Sequence, residues 1–598
     1  MDESLPRSIP KTIEVAALWR QIAALKQFVR AHQAEALCSC LLLVMAVNMF
    51  AAISRKGITN DEIVHIPAGY YHLIAGDFQL NNEHPPLIKM WAALPLLLIQ
   101  PNESPPTAEE KQGTFNGLTW SYEHRFWQSN QSRFERILFW SRAMMIVLTV
   151  VLGVLIFAFA RSLFGSHAAA IAVALYTLEP TVLAHGRLVH TDLPAALAFL
   201  CFFFALRIYF QATTTRNALL LALASGLALL TKFSMIVLLP VLGCLALMGF
   251  ALAPRFNESR KRVLLHAGIL VCLVWVMVNA AYRFQGPPVV RGDVEWVEAR
   301  SPEASDKWLT FFHLGSRIVP TYYLFGQYNV MLHNRDGHAA SLLGQYGTQG
   351  WWYYFPLAFA LKTSLPFLIV TLAALGWALW RLFGRRDERI LWLLIPIAIY
   401  AALSMTSHIN IGIRHFLPVY PFFFIAGGAL IERLLRVRYA RHLAIALVVL
   451  AFGWMSAEAL RAYPDYLPYM NQLASAHPHW WYLSDSNVEW GEDGRALADY
   501  LHARGETEVV GALAGGWGSL AQYGITYHEI FPKPGVPVPD TRYVAIGASF
   551  LNGSTIYVSA DENGKSISEE QRVNYLAAYR TLQPEAILGN SIYVYRVK

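Results

Sequence analysis

Asp61 and Glu62 stand side by side in the first polar stretch after the first membrane-length apolar run, and His84-Pro85-Pro86 follows in the same stretch. A carboxylate held near a bilayer is a candidate general base, and the stiff His-Pro-Pro element could return the chain to the membrane surface beside it. Further along, ionisable residues recur at the ends of other apolar runs: Glu179, Arg187 and Asp192 in LEPTVLAHGRLVHTDLP, Lys232 in LLTKFSM, and His408, Arg414 and His415 in SHINIGIRHFLP. Charge near a bilayer core is costly, so such residues invite a functional reading first. They form two chemical sets: Asp61, Glu62 and Asp192 could activate an acceptor, while His84, Lys89, Arg187, Lys232, Arg414 and His415 could hold a phosphate.

Each has a plainer reading. Asp192 could cap the helix that follows it, Lys232 could snorkel to the interface, and His65, His185 and His190 read as structural histidines. The run Trp351-Trp352-Tyr353-Tyr354 reads as an interfacial belt. In SDSNVEWGED, the alternation of Asp485, Asn487 and Glu489 imitates the opening of a calcium loop, but the central Gly is missing and Ala496 stands where a bidentate Glu is needed. That stretch reads instead as the start of a helix with acids in its first turn.

The elements that would position these residues are mostly membrane spans. The 598-residue chain is 55% hydrophobic with 15% charged residues, where a soluble chain would carry about 25%, and its mean hydropathy is +0.35. Runs at 35–53, 137–160, 168–185, 192–210, 217–231, 234–253, 262–282, 352–380, 389–406, 412–432 and 440–460 make eleven expected spans. The run 84–100 is broken by Pro85, Pro86 and Pro95 and is read as interfacial or re-entrant on the outer face. Placing it there puts nearly every Arg/Lys cluster on one side, as the positive-inside rule demands. The net charge of +7 therefore reports topology rather than nucleic-acid binding. All five cysteines lie in apolar runs, so no disulfide framework or thiolate metal site is implied.

The expected organisation is a cytoplasmic segment 1–34, a transmembrane part 35–460 with outer loops 54–136 and 283–351, and an outer C-terminal α/β domain 461–598. In that domain a helix is expected near 492–504, with strands at 508–513, 542–546, 555–559 and 591–597. The fold class is mainly α, a polytopic helical bundle carrying a soluble α/β domain.

Asp61-Glu62 followed by HPPLIK, with Arg187 five residues before Asp192 at the next outer turn, resembles the protein O-mannosyltransferases. It also resembles the related bacterial lipid A aminoarabinose transferases; both are glycosyltransferases of the GT-C class. The resemblance implies that Asp61 is the catalytic carboxylate with Glu62 in support, that Asp192 is the second carboxylate, and that Arg187 is the arginine of the same turn. It further implies a polyprenyl-phosphate sugar donor, an acceptor on the periplasmic face, and a bacterial inner membrane. Two departures limit it: 283–351 is too short for the β-trefoil insertion of eukaryotic members, and His84 stands where the aminoarabinose transferases carry Lys. Sugar and acceptor stay open. No cofactor is called for, and a divalent metal is left open. A single base without a covalent intermediate implies inversion at the anomeric carbon. The alternative class is a transporter or flippase of a lipid-linked substrate, which would be expected to show paired broken helices.

Overall fold

The computed structural model describes residues 32–252, 259–531, 537–558 and 565–598. The basic N-terminal stretch, part of the 255–262 turn and the end of the expected strand at 555–559 lie outside these residues. Among them, nine helices are long and apolar enough to cross a bilayer: Gln33–Ile53, Gln131–Phe164, Asp192–Gln211, Phe233–Leu252, Arg260–Ala281, Leu365–Arg385, Glu388–Met405, Ile413–Leu435 and Arg438–Ala462. Two shorter apolar helices, Ser166–Leu178 and Thr215–Thr231, occupy the other two expected positions. The chain is a multi-pass membrane protein.

Three expected runs are broken where proline or a polar residue interrupts the helix. The run 352–380 divides into Tyr354–Lys362 and Leu365–Arg385, the second starting with Pro366 in its first turn, where proline's missing N–H costs nothing. The run 168–185 stops at Leu178 and restarts at Pro180. The run 412–432 opens as a tight 3-10 turn, Ile413–Val419, containing Pro418. The segment 84–100 forms two short helices, Pro86–Ala93 and Leu96–Ile99, separated at Pro95, too short to span.

Small residues let the central helices approach. A Cβ on Gly428 would stand 2.4 Å from the Ala168 carbonyl oxygen, so the helix Tyr420–Leu435 lies almost backbone to backbone on the alanine-rich Ser166–Leu178. Loop 283–351 folds into helices Arg291–Arg300, Ser305–Gly315 and Thr321–Asp336 and a hairpin of β1 (Ala340–Leu342) and β2 (Gln345–Gly347). Leu343 and Gly344, both at positive φ, form its two-residue turn, and their N–H groups donate to Tyr482 and Trp481.

The C-terminal sheet contains β3 (Glu508–Ala512), β4 (Thr526–Glu529), β5 (Tyr543–Gly547), β6 (Ala586–Leu588) and β7 (Ile592–Arg596) in the order β4-β3-β5-β7-β6. β3 runs parallel to both neighbours, whereas β7 is antiparallel to β5 and β6. No strand forms over the described part of 555–559, and the helix expected at 492–504 spans Gly494–His502. One apolar cluster runs from the spans into this sheet, joining Met49, Phe199 and Phe422 to Trp490, Val544 and Tyr593.

The helix Asn60–Ala75, which carries the acidic pair, is fixed by Glu62. Thr59 and Glu62 form a capping box, with the Thr59 N–H 2.9 Å from Glu62 Oε2. Arg142, inside the span Gln131–Phe164, donates from Nε to Oε1 at 2.8 Å and from Nη2 to Oε2 at 2.6 Å. The Val189 N–H adds a bond of 3.0 Å to Oε1. Both side chains are fully buried, and Arg142 also donates to the Lys56 and Gly57 carbonyls. Removing either partner would leave a bare buried charge, a loss of about 3–5 kcal/mol. We therefore expect Glu62→Ala and Arg142→Ala each to lower the unfolding temperature of the purified protein markedly. A wild-type melting curve for either variant would show that the pair does not hold this helix.

Candidate functional site

A cavity of about 750 Å³ opens where the start of the helix Asn60–Ala75, the ends of several spans, the helix Thr321–Asp336 and the C-terminal domain meet. Asp61, His84, Asp192, Lys232, Arg414 and His415, all singled out by sequence, line it. Glu62, Lys89 and Arg187 do not.

The centre is an ion-pair chain. Arg414 donates from Nη1 to Asp61 Oδ2 at 2.7 Å and stands 3.6 Å from Asp192 Oδ2. Lys232 pairs with the other oxygen of Asp192. Asp61 keeps 21% of its side chain exposed, enough for an acceptor to reach. Burial alone would raise its pKa, but the Arg414 guanidinium, assisted by its hydrogen bond, holds the carboxyl below the usual carboxylate range. Arg414 is 6% exposed and its Nε has no hydrogen-bond partner. Its guanidinium lies over the Trp490 ring, 4.1 Å from the centroid.

Local structure explains these placements. Asp61 sits in the first turn of its helix, whereas Asp192 is the first helical residue and not its N-cap; Thr191 stands at the N-cap without a side-chain capping bond. Lys232 occupies the extended residue between Thr215–Thr231 and the turn Phe233–Val237. His84 precedes Pro85 and packs edge-on to His65 with ring centroids 5.7 Å apart. Burial and the adjacent Lys232 push the His84 pKa well below the imidazole range, so this ring is a neutral hydrogen-bonding group. His65 bonds to the Val189 carbonyl oxygen and His190 to that of His185, in keeping with structural roles.

The remaining residues serve the frame. Glu62 is saturated by Thr59, Arg142 and Val189. Lys89 is buried and donates to the Asn81 carbonyl and side chain; burial brings its ammonium down to about 7 although Glu83 draws it the other way. Arg187 is fully buried and contacts Glu492 at 3.2 Å and the Pro464 carbonyl at 3.3 Å. Of the aromatic run, Trp352 is exposed as a belt residue would be, but Tyr354 is buried and accepts from Asn487.

The stretch 484–493 is not the start of a helix. It is a clasp between the two halves of the site, and the helix begins only at Gly494. On one side Trp490 O accepts from the Asn60 N–H at 2.9 Å and Glu492 O from the Gly57 N–H at 2.8 Å. On the other, Asn487 Oδ1 accepts from the Ile413 N–H at 2.9 Å, and Ser486 Oγ donates to the Ile411 carbonyl at 2.6 Å. Lys56, buried, pairs with Asp465 and Asp493. Gly491 is needed between Trp490 and Glu492: its φ is +97° and a Cβ would stand 2.7 Å from the Ala514 carbonyl oxygen. Sequence reasoning missed Arg142, Lys56 and Trp490. For Arg142 the signal was present, a lone charge within an apolar span.

The C-terminal domain adds Glu489, Trp517, Ser549 and Tyr557 to the wall. Glu489 accepts from the Ala514 N–H at 2.8 Å and from Ser549 Oγ, and burial raises it to about 7. The opposite flank is apolar, with Phe233, Ile236, Val330, Met331 and Leu403; Ile236 and Met331 are exposed on the outer surface of the protein. Among the described residues no group of three or more His, Cys, Asp or Glu side chains is gathered to hold a metal ion.

No curated protein sequence matches the chain. Solved structures similar to it include the following three. ArnT from Cupriavidus metallidurans in the apo state has a TM-score of 0.47 at 14% identity, covering 94% of this chain and 98% of that one. The S. cerevisiae protein O-mannosyltransferase Pmt1-Pmt2 complex bound to the sugar donor has a TM-score of 0.46 at 10% identity, covering 72% and 90%. The Archaeoglobus fulgidus oligosaccharyltransferase complex with Zn and sulfate has a TM-score of 0.45 at 13% identity, covering 88% and 70%. Residues 136–282 match the family described as Dolichyl-phosphate-mannose-protein mannosyltransferase. That segment carries Arg142, Arg187, Asp192 and Lys232.

Proposed function

We propose that the chain is an inverting glycosyltransferase of a bacterial inner membrane, moving a sugar from a polyprenyl-phosphate carrier to an acceptor on the periplasmic face. The observation that carries this reading is the cavity in which Asp61, partly exposed, touches Arg414 at 2.7 Å while Lys232 stands on the far side of Asp192. That arrangement sets a base beside two cations, the requirement for taking a proton from an acceptor and receiving a departing phosphate. The acceptor oxygen attacks the anomeric carbon as Asp61 takes its proton. The bond from that carbon to the phosphate oxygen breaks, and its electron pair leaves with a phosphate held by Arg414 and Lys232. Asp192 keeps both cations in place, and the neutral His84 offers a hydrogen bond at the same wall.

The apolar flank at Ile236 and Met331 suits the carrier's hydrocarbon chain, and the wall of Glu489, Trp517 and Tyr557 suits the acceptor. The family match over 136–282 favours transfer over transport. In this reading Glu62, Lys89 and Arg187 support the site without touching substrate.

Asp61→Asn, nearly isosteric but no base, should lower transfer by at least about a hundredfold in protein that still inserts, with a smaller loss for Asp192→Asn. Turnover measured with a polyprenyl-phosphate sugar decides it; wild-type turnover by Asp61→Asn would remove the assignment. Because the Asp61 pKa is depressed, the base stays ionised until the pH drops through that lowered value. The acidic limb of kcat/KM should accordingly fall below the ordinary aspartate value of about 3.9, and a limb near 6 would point to another base. For topology, reporter fusions after residues 120 and 470 should both register the periplasmic side; a cytoplasmic signal at either would break the proposed orientation.

A further inference from the structure

The catalytic pair in this reading comes from chain segments far apart in sequence, and a single short segment from the C-terminal part touches both. The backbone of Trp490 accepts the N–H of Asn60, next to Asp61. Three residues earlier, Asn487 accepts the N–H of Ile413, next to Arg414. Between these anchors the Trp490 ring, buried at 4% exposure, lies 4.1 Å from the Arg414 guanidinium. His185 and His190 also pack against that ring, with centroids 6.1 and 5.7 Å away. A guanidinium with a free Nε would otherwise be able to turn about its last bonds, because both carboxylates, Asp61 and Asp192, pair with Nη1.

We propose that Trp490 is a positioning residue for phosphate recognition: its indole face fixes the plane of the Arg414 guanidinium so that Arg414 meets the donor phosphate while remaining within reach of Asp61. The inference rests on the assignment of Arg414 to the donor phosphate made above. It makes the clasp 484–493 part of the donor site, although the acceptor side is what the C-terminal domain otherwise faces. An aromatic surface is required because a planar cation is held by a ring face without competing for the hydrogens that the phosphate needs.

The test uses the full chain in lipid nanodiscs, with undecaprenyl phosphate as probe and phosphate-free undecaprenol as control, for wild type, Trp490→Leu, Trp490→Phe and Arg414→Lys. Trp490→Leu should weaken undecaprenyl phosphate binding about tenfold, the size of a desolvated cation–π contact, and leave undecaprenol binding unchanged. Trp490→Phe, which keeps a smaller and weaker ring face, should weaken undecaprenyl phosphate binding about threefold. In the Arg414→Lys background Trp490→Phe should have no further effect, since a point charge gains little from a fixed plane. Equal weakening of both lipids, or full phosphate binding by Trp490→Leu, would overturn the proposal. If Trp490→Leu does not fold, the comparison of Trp490→Phe in the two Arg414 backgrounds decides: additive effects refute the coupling. A wild-type protein that fails to bind undecaprenyl phosphate would refute the donor assignment itself, whereas a binding wild type with indifferent Trp490 variants refutes only this inference.

Discussion

The buried pair of Glu62 and Arg142 is the contact on which the geometry of the cavity depends. A carboxylate and a guanidinium withdrawn completely from water hold together only if every lone pair and N–H is used, and here Thr59, Val189, Lys56 and Gly57 use them. The result is a rigid joint between the start of the Asn60–Ala75 helix, the long span Gln131–Phe164 and the Arg187–Asp192 turn. Asp61 is one residue away from that joint, so its position is inherited from it. The division of labour within the adjacent acids follows directly: Glu62 points into protein and is consumed by structure, while Asp61 points into the cavity and stays available.

The cavity then separates its tasks by charge and polarity. Arg414 and Lys232 gather around Asp192 at one wall, apolar side chains from three elements form the membrane-side flank, and the sheet domain contributes carboxylates and aromatic rings opposite. Opposite charges within 4 Å lower the cost of burying any of them. Neutral His84 adds polarity without adding a competing charge.

Much of this was legible in the sequence because the informative residues were charges in apolar surroundings. The span positions, the non-spanning character of 84–100, the strands at 508–513, 542–546 and 591–597, and the gathering of Asp61, His84, Asp192, Lys232, Arg414 and His415 all follow from hydropathy, proline and residue type. Glu62 and Arg187 were harder, since a type alone does not say whether a side chain faces a cavity or a partner. Thr59-x-x-Glu62 is a capping-box pattern, and reading it would have turned Glu62 inward. Arg187 finds Glu492 and Lys56 finds Asp493 across hundreds of residues, and no local pattern announces such a pairing. The strands β4 and β6 escaped notice because they are edge strands of only four and three residues.

The Lys56 clasp has a consequence for biogenesis. Its partner Asp493 lies 437 residues further along the chain, and the sheet that shares a core with the spans is longer in coming still. During synthesis Lys56 and Arg187 are made long before Asp493 and Glu492, so these two cations lack those partners until the C-terminal part follows, whereas Arg414 already has Asp61 and Asp192 behind it in the chain. The frame around the cavity is therefore closed only once the C-terminal segment has been made, so a partly made chain holds these buried positions open to water.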